Sequence, residues 1–157
     1  MKQLMILILI FPLITFSQTE KLKYEKVIEY VVDSIVKNDL DNFYISDLIE
    51  RKTEFADFHG ISQNCETQHM LLVEVLLNGE QSEISESELS DLIPDKFEPE
   101  PNKSKIELGT IITYKNIWAT VIVIRNDSKG KHGWTKYSLL FINDKLAGNL
   151  IGKWHGD

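Results

Sequence analysis

The sequence contains one cysteine, Cys65, in a chain of 157 residues. A single cysteine cannot form an internal disulfide, so the hydrophobic core must hold the fold together. We interpret Cys65 as a small buried apolar group, with a free thiol as the alternative. The chain also lacks a run of about 20 apolar residues, the length that a membrane-spanning helix requires. The sequence therefore predicts neither a disulfide scaffold nor a membrane-spanning helix.

Recognisable catalytic signatures are also missing from the sequence. It has no serine-centred nucleophile elbow, no glycine-rich phosphate loop and no metalloprotease helix. His59, Cys65 and His69 lie close together in the chain, but their spacing matches no zinc-site signature. We therefore expect no metal and no cofactor, assign no catalytic residue, and lean towards a protein that is not an enzyme.

Negative charge dominates the chain, whose formal net charge is −7. Residues 18–100 carry 7 Lys/Arg against 20 Asp/Glu, whereas residues 101–157 carry 9 against 4. The simplest interpretation is that an acidic half packs against a mildly basic half. The alternative is that the basic half faces an acidic partner. The overall acidity argues against nucleic acid or an anionic membrane as the main partner.

The first 17 residues have the pattern of a secretory signal peptide. Lys2 is followed by an apolar run over residues 4–14 and then by a short segment that ends at Ser17. We predict cleavage after Ser17 and an exported protein, periplasmic or secreted, that is not membrane-embedded after cleavage. A buried N-terminal strand or helix is the alternative. Residues 18–157 are then long enough for a single domain.

The clearest predicted helix covers residues 22–37. Its apolar residues form one stripe at helical spacing, and charged residues fill the opposite face. The stripe consists of Tyr24, Val27, Ile28, Val31, Val32, Ile35 and Val36. Its many β-branched residues are poor helix formers by themselves, so packing against a sheet must stabilise this helix.

The next two elements are predicted from weaker patterns. Asp39 or Asp41 is expected to cap a second, shorter helix that runs to about Arg51. Residues 68–77 fit either a strand or a helix, because their apolar residues alternate but are rich in Leu and Met. The turn signal Asn78-Gly79 directly after them favours the strand.

A third short helix is predicted after residue 85. Ser85 and Glu88 have the spacing of a capping box, in which each residue satisfies a free backbone group near the helix start. Pro94 closes this helix, and a proline-containing connector leads to Lys105.

The C-terminal third, residues 106–154, is predicted to form four antiparallel strands. Lys115-Asn116 and Asn143-Asp144 fit short hairpin links, because Asn and Asp tolerate positive φ. Gly148 and Gly152 in the last strand predict a bulge or a strongly curved sheet. The alternating apolar sets are Ile106-Leu108-Ile112-Tyr114, Ile117-Ala119-Val121-Val123 and Tyr137-Leu139-Phe141.

This order of elements resembles the cystatin-like cone of the nuclear-transport-factor-two-like superfamily. The segment 38–43 after the first helix looks like that superfamily's acidic turn, and segments 119–123 and 150–154 resemble its long curved strands. The predicted fold class is α+β, with an N-terminal amphipathic helix packed on a curved antiparallel sheet of four to six strands. The superfamily includes isomerases, dehydratases and non-catalytic modules, so the resemblance does not assign one function.

Two sets of residues are candidates for a site. One is the loop 127–133 with the adjoining sheet surface, where positive charge surrounds an aromatic side chain; its residues are Arg125, Lys129, Lys131, His132, Trp134 and Lys136. A polar hairpin tip is the alternative interpretation of this loop. The other set is a pocket formed by His69, Trp118 and Tyr137, for which aromatic core packing is the alternative.

These patterns favour a small exported binding or interaction module whose partner is a small molecule or an acidic protein. The alternative is a cone-fold lyase or isomerase with a pocket between the helix and the sheet. A deep pocket that holds His69, or an aspartate beside Trp118, would favour the enzyme, and a filled core would exclude it.

Overall fold

A computed structural model describes residues 18–37, 42–58, 66–97, 99, 102–126 and 133–155. The described chain is α+β, with an N-terminal helix and a curved, half-barrel sheet, which confirms the predicted fold class. The helices are α1 (18–36), α2 (Glu66–Asn78) and α3 (Glu86–Ser90), and short 3-10 turns cover Phe55–Phe58 and Asp95–Phe97. The strands are β1 (Phe43–Arg51), β2 (Glu80–Ser82), β3 (Ser104–Gly109), β4 (Ile111–Tyr114), β5 (Ile117–Asn126), β6 (Gly133–Ile142) and β7 (Lys145–His155).

Helix α1 lies across the sheet, as its apolar stripe predicts. Tyr24, Val27 and Val31 are completely buried in the larger hydrophobic core. The last turn, Val31–Val36, is π-helical, and the Lys37 N–H donates to the Val32 carbonyl at 3.0 Å. The wider π turn allows both Val31 and Val36 to be buried, although they are five residues apart.

Strand β5 is the centre of the sheet. Along one edge it pairs with β6 over its full length, and β6 pairs with β7. Along the other edge it pairs with β4 near its start and with β3 further on, and both pairings are antiparallel. Strand β2 pairs with β4 in antiparallel orientation, while β1 pairs with β3 in parallel. The described sheet thus has seven strands and contains one parallel pair.

A kink at Thr110 divides the first predicted C-terminal strand into β3 and β4. Ile106, Leu108 and Ile111 all belong to the core beneath α1, whereas Ile112 packs against α2. The expectation that Ile106, Leu108 and Ile112 share one face is therefore wrong. Thr110 is an extra residue between the two strands, and one extra residue reverses which side chains point to each face.

The sheet separates two hydrophobic cores. The larger one contains α1, Leu89 of α3 and the side chains of Trp118 and Ile122 from β5. The smaller one places Leu72 of α2 and Phe58 against the opposite face. Adjacent strand residues point to opposite faces, which explains why β5 is apolar on both parities.

The predicted second helix is wrong, because residues 43–51 form strand β1. Phe43, Tyr44 and Ile45 are aromatic or β-branched, and such residues suit a strand. Pairing places Phe43 opposite Ser104 of β3, about sixty positions along the chain. A contact between such distant parts of the chain leaves no periodic signal in the local sequence.

The favoured strand at 68–77 is also wrong, because these residues lie in helix α2. The helix is apolar around most of its circumference, so its sequence lacks a clear polar face. Asn78-Gly79 does mark the end of the element, but as a helix C-terminus. The Gly79 N–H donates to the Val75 carbonyl at 2.8 Å, and Asn78 Nδ2 donates to the Glu74 carbonyl at 3.1 Å.

Other local predictions are confirmed. Ser85 and Glu88 form the capping box at the start of α3. The two short hairpin links contain the positive φ angles of Lys115, Asn143 and Asp144. Strands β6 and β7 shift register beside Gly148, as expected for a bulge. Of the predicted loop 127–133, residues 127–132 lie outside the described residues, and Gly133 begins β6.

Candidate functional site

A pocket of about 520 Å³ opens where the first turn of α1 meets strand β2 and two hairpin links. Ligand pockets commonly measure about 300–1,000 Å³. The side chains around it come from four parts of the chain that converge only in the folded protein. They are Thr19, Glu20 and Lys23 of α1; Glu80, Gln81 and Ser82 of β2; Thr113, Lys115, Asn116 and Trp118; and Asn143 and Asp144.

An ion pair forms one wall of the pocket. Lys23 Nζ lies 2.6 Å from Glu20 Oε1, and the two side chains are only 8% and 5% exposed. Lys23 also donates to Thr113 Oγ1 at 2.8 Å, while Ser82 Oγ donates to Glu20 Oε2 at 2.5 Å. These bonds join α1 to β2 and β4. Because both charges are nearly buried, each must be held by such partners.

The second wall is built from the two hairpin links. Trp118 Nε1 donates to Asp144 Oδ1 at 2.9 Å, and the indole stacks on Phe141 with ring centroids 3.8 Å apart. Asn116 Nδ2 donates to Asn143 Oδ1 at 2.8 Å, and the Asn143 N–H donates to the Asn116 carbonyl at 2.9 Å. The links are therefore fixed to each other and to the core.

Tyr24 lies one residue beyond Lys23 and is completely buried. Its hydroxyl donates to the Gly109 carbonyl at 3.3 Å. Burial raises the pKa of the phenol well above its usual value near 10, and the nearby carboxylates Glu20 and Glu83 raise it further. Tyr24 therefore stays protonated at physiological pH and serves as a buried hydrogen-bond donor.

Several pocket groups keep hydrogen-bonding capacity after these contacts. Among the described residues, no side chain bonds to the Glu80 carboxylate or to Asp144 Oδ2. The Lys23 ammonium uses two of its three hydrogens. Asn116 Oδ1 and Asn143 Nδ2 are likewise not used in the bond that joins these two side chains. The pocket therefore offers both acceptors and donors to a ligand.

Of the three predicted pocket residues, the structure describes the side chains of Trp118 and Tyr137. Trp118 lines the pocket and is only 2% exposed. Tyr137 packs against the same core but does not line the pocket. Its pKa is raised by burial and, to a lesser extent, by Tyr30. His69 belongs to α2, which packs on the opposite face of the sheet, and its side chain lies outside the described residues. The pocket role of His69 therefore stays a prediction.

The predicted basic surface is only partly described. Lys129, Lys131 and His132 lie outside the described residues. Arg125 and Trp134 are directly opposite each other on β5 and β6. Arg125 Nε lies 2.6 Å from Glu107 Oε1, and the Glu107 side chain is only 5% exposed. This cation therefore neutralises a buried carboxylate, and its binding role stays a prediction.

Lys136 has a similar structural role on the same sheet face. Its Nζ lies 3.1 Å from Asp57 Oδ1, and Arg51 reaches the same oxygen at 2.6 Å. The Asp57 side chain is 5% exposed, and its carbonyl accepts a hydrogen bond from Ser138. Lys136 also lies 5.8 Å from the centre of the Trp134 ring. These contacts fasten the 3-10 turn to β6.

Within the part of the chain that the structure describes, no three His, Cys, Asp or Glu side chains are grouped to hold a metal. His59 and Cys65 of the sequence cluster lie outside the described residues. None of the described helices is long and apolar enough to cross a membrane.

Sequence reasoning missed most of the pocket. Glu20 and Lys23 are three residues apart in a helix, a spacing that brings side chains together. Asn143-Asp144 is predicted only as a turn, although its side chains also face the pocket. No local signal connects either pair with Ser82 or Thr113, because strand pairing and helix docking bring them together.

Comparison with models of known protein families, with curated proteins and with solved structures finds no match to this chain. The pocket geometry is therefore the main basis for a functional proposal.

Proposed function

We propose that this protein is an exported binding module that holds a small polar molecule in the pocket between α1, β2 and the two hairpin links. The observation that carries the proposal is the convergence of charged, amide and hydroxyl side chains around one open cavity of about 520 Å³. The resemblance to the nuclear-transport-factor-two-like cone is compatible with such a pocket between a helix and a curved sheet, and remains a proposal.

The hydrogen bonds in the pocket support binding rather than catalysis. Glu20 accepts bonds on both carboxylate oxygens, from Lys23 and from Ser82. Its side chain is also only 5% exposed and paired with Lys23, whereas a general base must reach the proton that it removes. The nearly buried Glu20–Lys23 pair therefore serves to hold α1 on the sheet and to shape the pocket.

Export is supported by the composition of residues 1–17, with a basic start, a short apolar run and a small residue at position 17. Cleavage there would leave α1 and its pocket residues intact.

One observation favours the alternative, a lyase or an isomerase. Asp144 lies beside Trp118 in the pocket, and the indole N–H fixes one carboxylate oxygen at 2.9 Å. The other oxygen is then oriented as a general base would be. Asp144 is exposed at a hairpin link, however, where bulk water is not excluded from a reacting group. Binding therefore remains the proposed function.

Blocking the pocket tests the proposal. Thermal unfolding is measured with glucose, glucosamine, arginine and adenosine at millimolar concentration, since a ligand that binds only the folded protein raises the Tm. We expect at least one of these probes to raise the Tm of the wild type. Thr19→Trp places a large ring at the pocket mouth and is expected to abolish that rise.

Leu22→Trp is the matched control, because Leu22 is exposed on the same helix and does not line the pocket. This variant should respond to the probe as the wild type does. The proposal is overturned if no probe raises the Tm, or if Thr19→Trp responds as the wild type does. If a probe is instead consumed, and Asp144→Asn stops its consumption, the enzyme alternative replaces the binding module.

A further inference from the structure

We infer that the pocket selects a small hydroxylated amine, such as an amino sugar, over neutral and anionic molecules of the same size. This inference rests on the proposed function, because it names the class of ligand for the same pocket. It follows from the charge of the lining, from the positions of the groups that are still able to bond, and from the way in which the tryptophan is packed.

The lining charges favour a cation. Three carboxylates face the pocket, from Glu20, Glu80 and Asp144, against the two ammonium groups of Lys23 and Lys115. Lys115 also lies 3.2 Å from Glu74, which lies outside the pocket lining and neutralises part of that positive charge. The pocket is therefore negative overall, and an ammonium group on a ligand is attracted to it.

The position of the internal ion pair decides where that ammonium binds. Glu20 is already neutralised by Lys23 at 2.6 Å on the buried wall. Of the three carboxylates that line the pocket, Glu80 and Asp144 have no cationic partner among the described residues. Glu80 is exposed on β2, and Asp144 is fixed by the Trp118 indole at 2.9 Å. The ligand ammonium is therefore placed at the rim, between β2 and the β6–β7 link.

The remaining donors and acceptors of the lining favour hydroxyls. Lys23 retains one ammonium hydrogen, and Asn143 Nδ2 retains its donors, so both can donate to a ligand oxygen. Asn116 Oδ1 can accept from a ligand O–H. A hydroxyl both donates and accepts, so it satisfies groups of either kind. An apolar ligand would instead leave the nearly buried Lys23 ammonium without a partner for that hydrogen, which is costly.

The packing of Trp118 argues against selection by aromatic stacking. Its ring stacks on Phe141 at 3.8 Å and is only 2% exposed, so its face is not open to a ligand. The indole N–H is used by Asp144. Recognition must therefore come from charge and hydrogen bonds.

Three probes of nearly equal size test the inference: D-glucosamine, D-glucose and D-glucuronate, measured by titration calorimetry at low and moderate salt. We expect glucosamine to bind most tightly and glucuronate most weakly. Glu80→Gln and Asp144→Asn should each weaken glucosamine about twofold to fivefold, as expected for exposed charge pairs. Added salt should weaken glucosamine more than glucose.

Glu29→Gln is the matched control, because it removes one exposed carboxylate of α1 that does not line the pocket. Its affinities should equal those of the wild type. Thermal unfolding of each variant without ligand shows that the fold is retained.

Equal binding of glucose and glucosamine would overturn the inference and leave the proposed function intact, as would wild-type affinity in both Glu80→Gln and Asp144→Asn. Failure of all three sugars to bind also overturns the inference. In that case, a rise in Tm with arginine or adenosine that Thr19→Trp abolishes would still support the binding module.

Discussion

At the scale of single residues, Gly109 shows how closely the sheet is packed at its kink. A Cβ added there would lie 2.7 Å from Val121 Cγ1, 2.8 Å from Thr53 Oγ1 and 3.0 Å from the Val121 carbonyl oxygen. Thr53 is fixed in turn, because its N–H donates to Thr110 Oγ1 at 2.9 Å and its hydroxyl donates to the Thr110 carbonyl. These neighbours leave no room for a side chain at position 109.

Substitution of this glycine is our residue-scale prediction. Gly109→Ala should lower the free energy of unfolding by about 1–3 kcal/mol, because the added methyl overpacks the kink. Gly152→Ala is the control, since the nearest atom to its added Cβ is Trp134 Cζ3 at 3.8 Å, an ordinary contact. Urea denaturation of both variants measures the difference. Equal stabilities would show that the kink relaxes without cost.

The pocket residues show the limit of single-residue reasoning from sequence. Trp118 is predicted as a pocket residue and lines the pocket, whereas Tyr137 packs in the core without lining it. Glu80 and Ser82 are not singled out by the sequence, because nothing in a three-residue strand distinguishes them. Their importance comes from the pairing of β2 with β4, which brings them beside α1.

At the scale of elements, α1 depends on its packing against the sheet. Its buried face contains many β-branched residues, which have low helix propensity, so tertiary contacts must stabilise the helix. Val31 is completely buried, and Ser34 in the same turn is exposed. Substitution by a charged residue should therefore destabilise the fold at Val31 and be tolerated at Ser34.

Charge placed on the two faces of this turn tests the docking of α1. Val31→Asp should lower the free energy of unfolding by about 3 kcal/mol or more, because it buries a carboxylate without a partner. Ser34→Asp adds the same charge on the exposed face and should change stability by less than about 0.5 kcal/mol. Equal urea midpoints for the two variants would mean that α1 does not dock through Val31.

The helix α1, the capping box and the short hairpin links are predictable because their determinants are local. An apolar stripe, a Ser–Glu pair and turn residues each act within a few positions of the chain. The sequence predictions for strand β1 and helix α2 are wrong. Their apolar residues suit either type of structure, and distant partners decide between them: β3 for β1, and the β4–β5 face for α2.

At the scale of the whole molecule, the sheet has a core on each face. The larger core lies under α1 and α3, and the smaller one lies under α2. Ion pairs of the buried carboxylates Asp57 and Glu107 with partly exposed arginines add polar contacts on the face opposite α1. The described sheet has seven strands, compared with the four to six predicted. Strand β1 pairs with β3, and β2 pairs with β4.

Export is the prediction for the whole chain. Because residues 1–17 have the pattern of a signal peptide, the mature protein should begin at or near Gln18. Intact mass spectrometry of the protein from the cell envelope and the medium measures its first residue. An Ile8→Arg variant, which interrupts the apolar run, should accumulate with its leader retained. Full-length wild-type protein confined to the cytoplasm would contradict the prediction.

The sequence by itself determined the α+β class, the position of the first helix, the two tight hairpin links and the helix cap, since each depends on neighbouring residues. Only the tertiary structure decided that residues 43–51 are a strand, that Thr110 reverses the faces of the kinked strand, and that four distant segments line one pocket. The physical reason is that strand pairing and helix docking join residues far apart in the chain. Their contact energies leave no periodic pattern in the segments that they bring together.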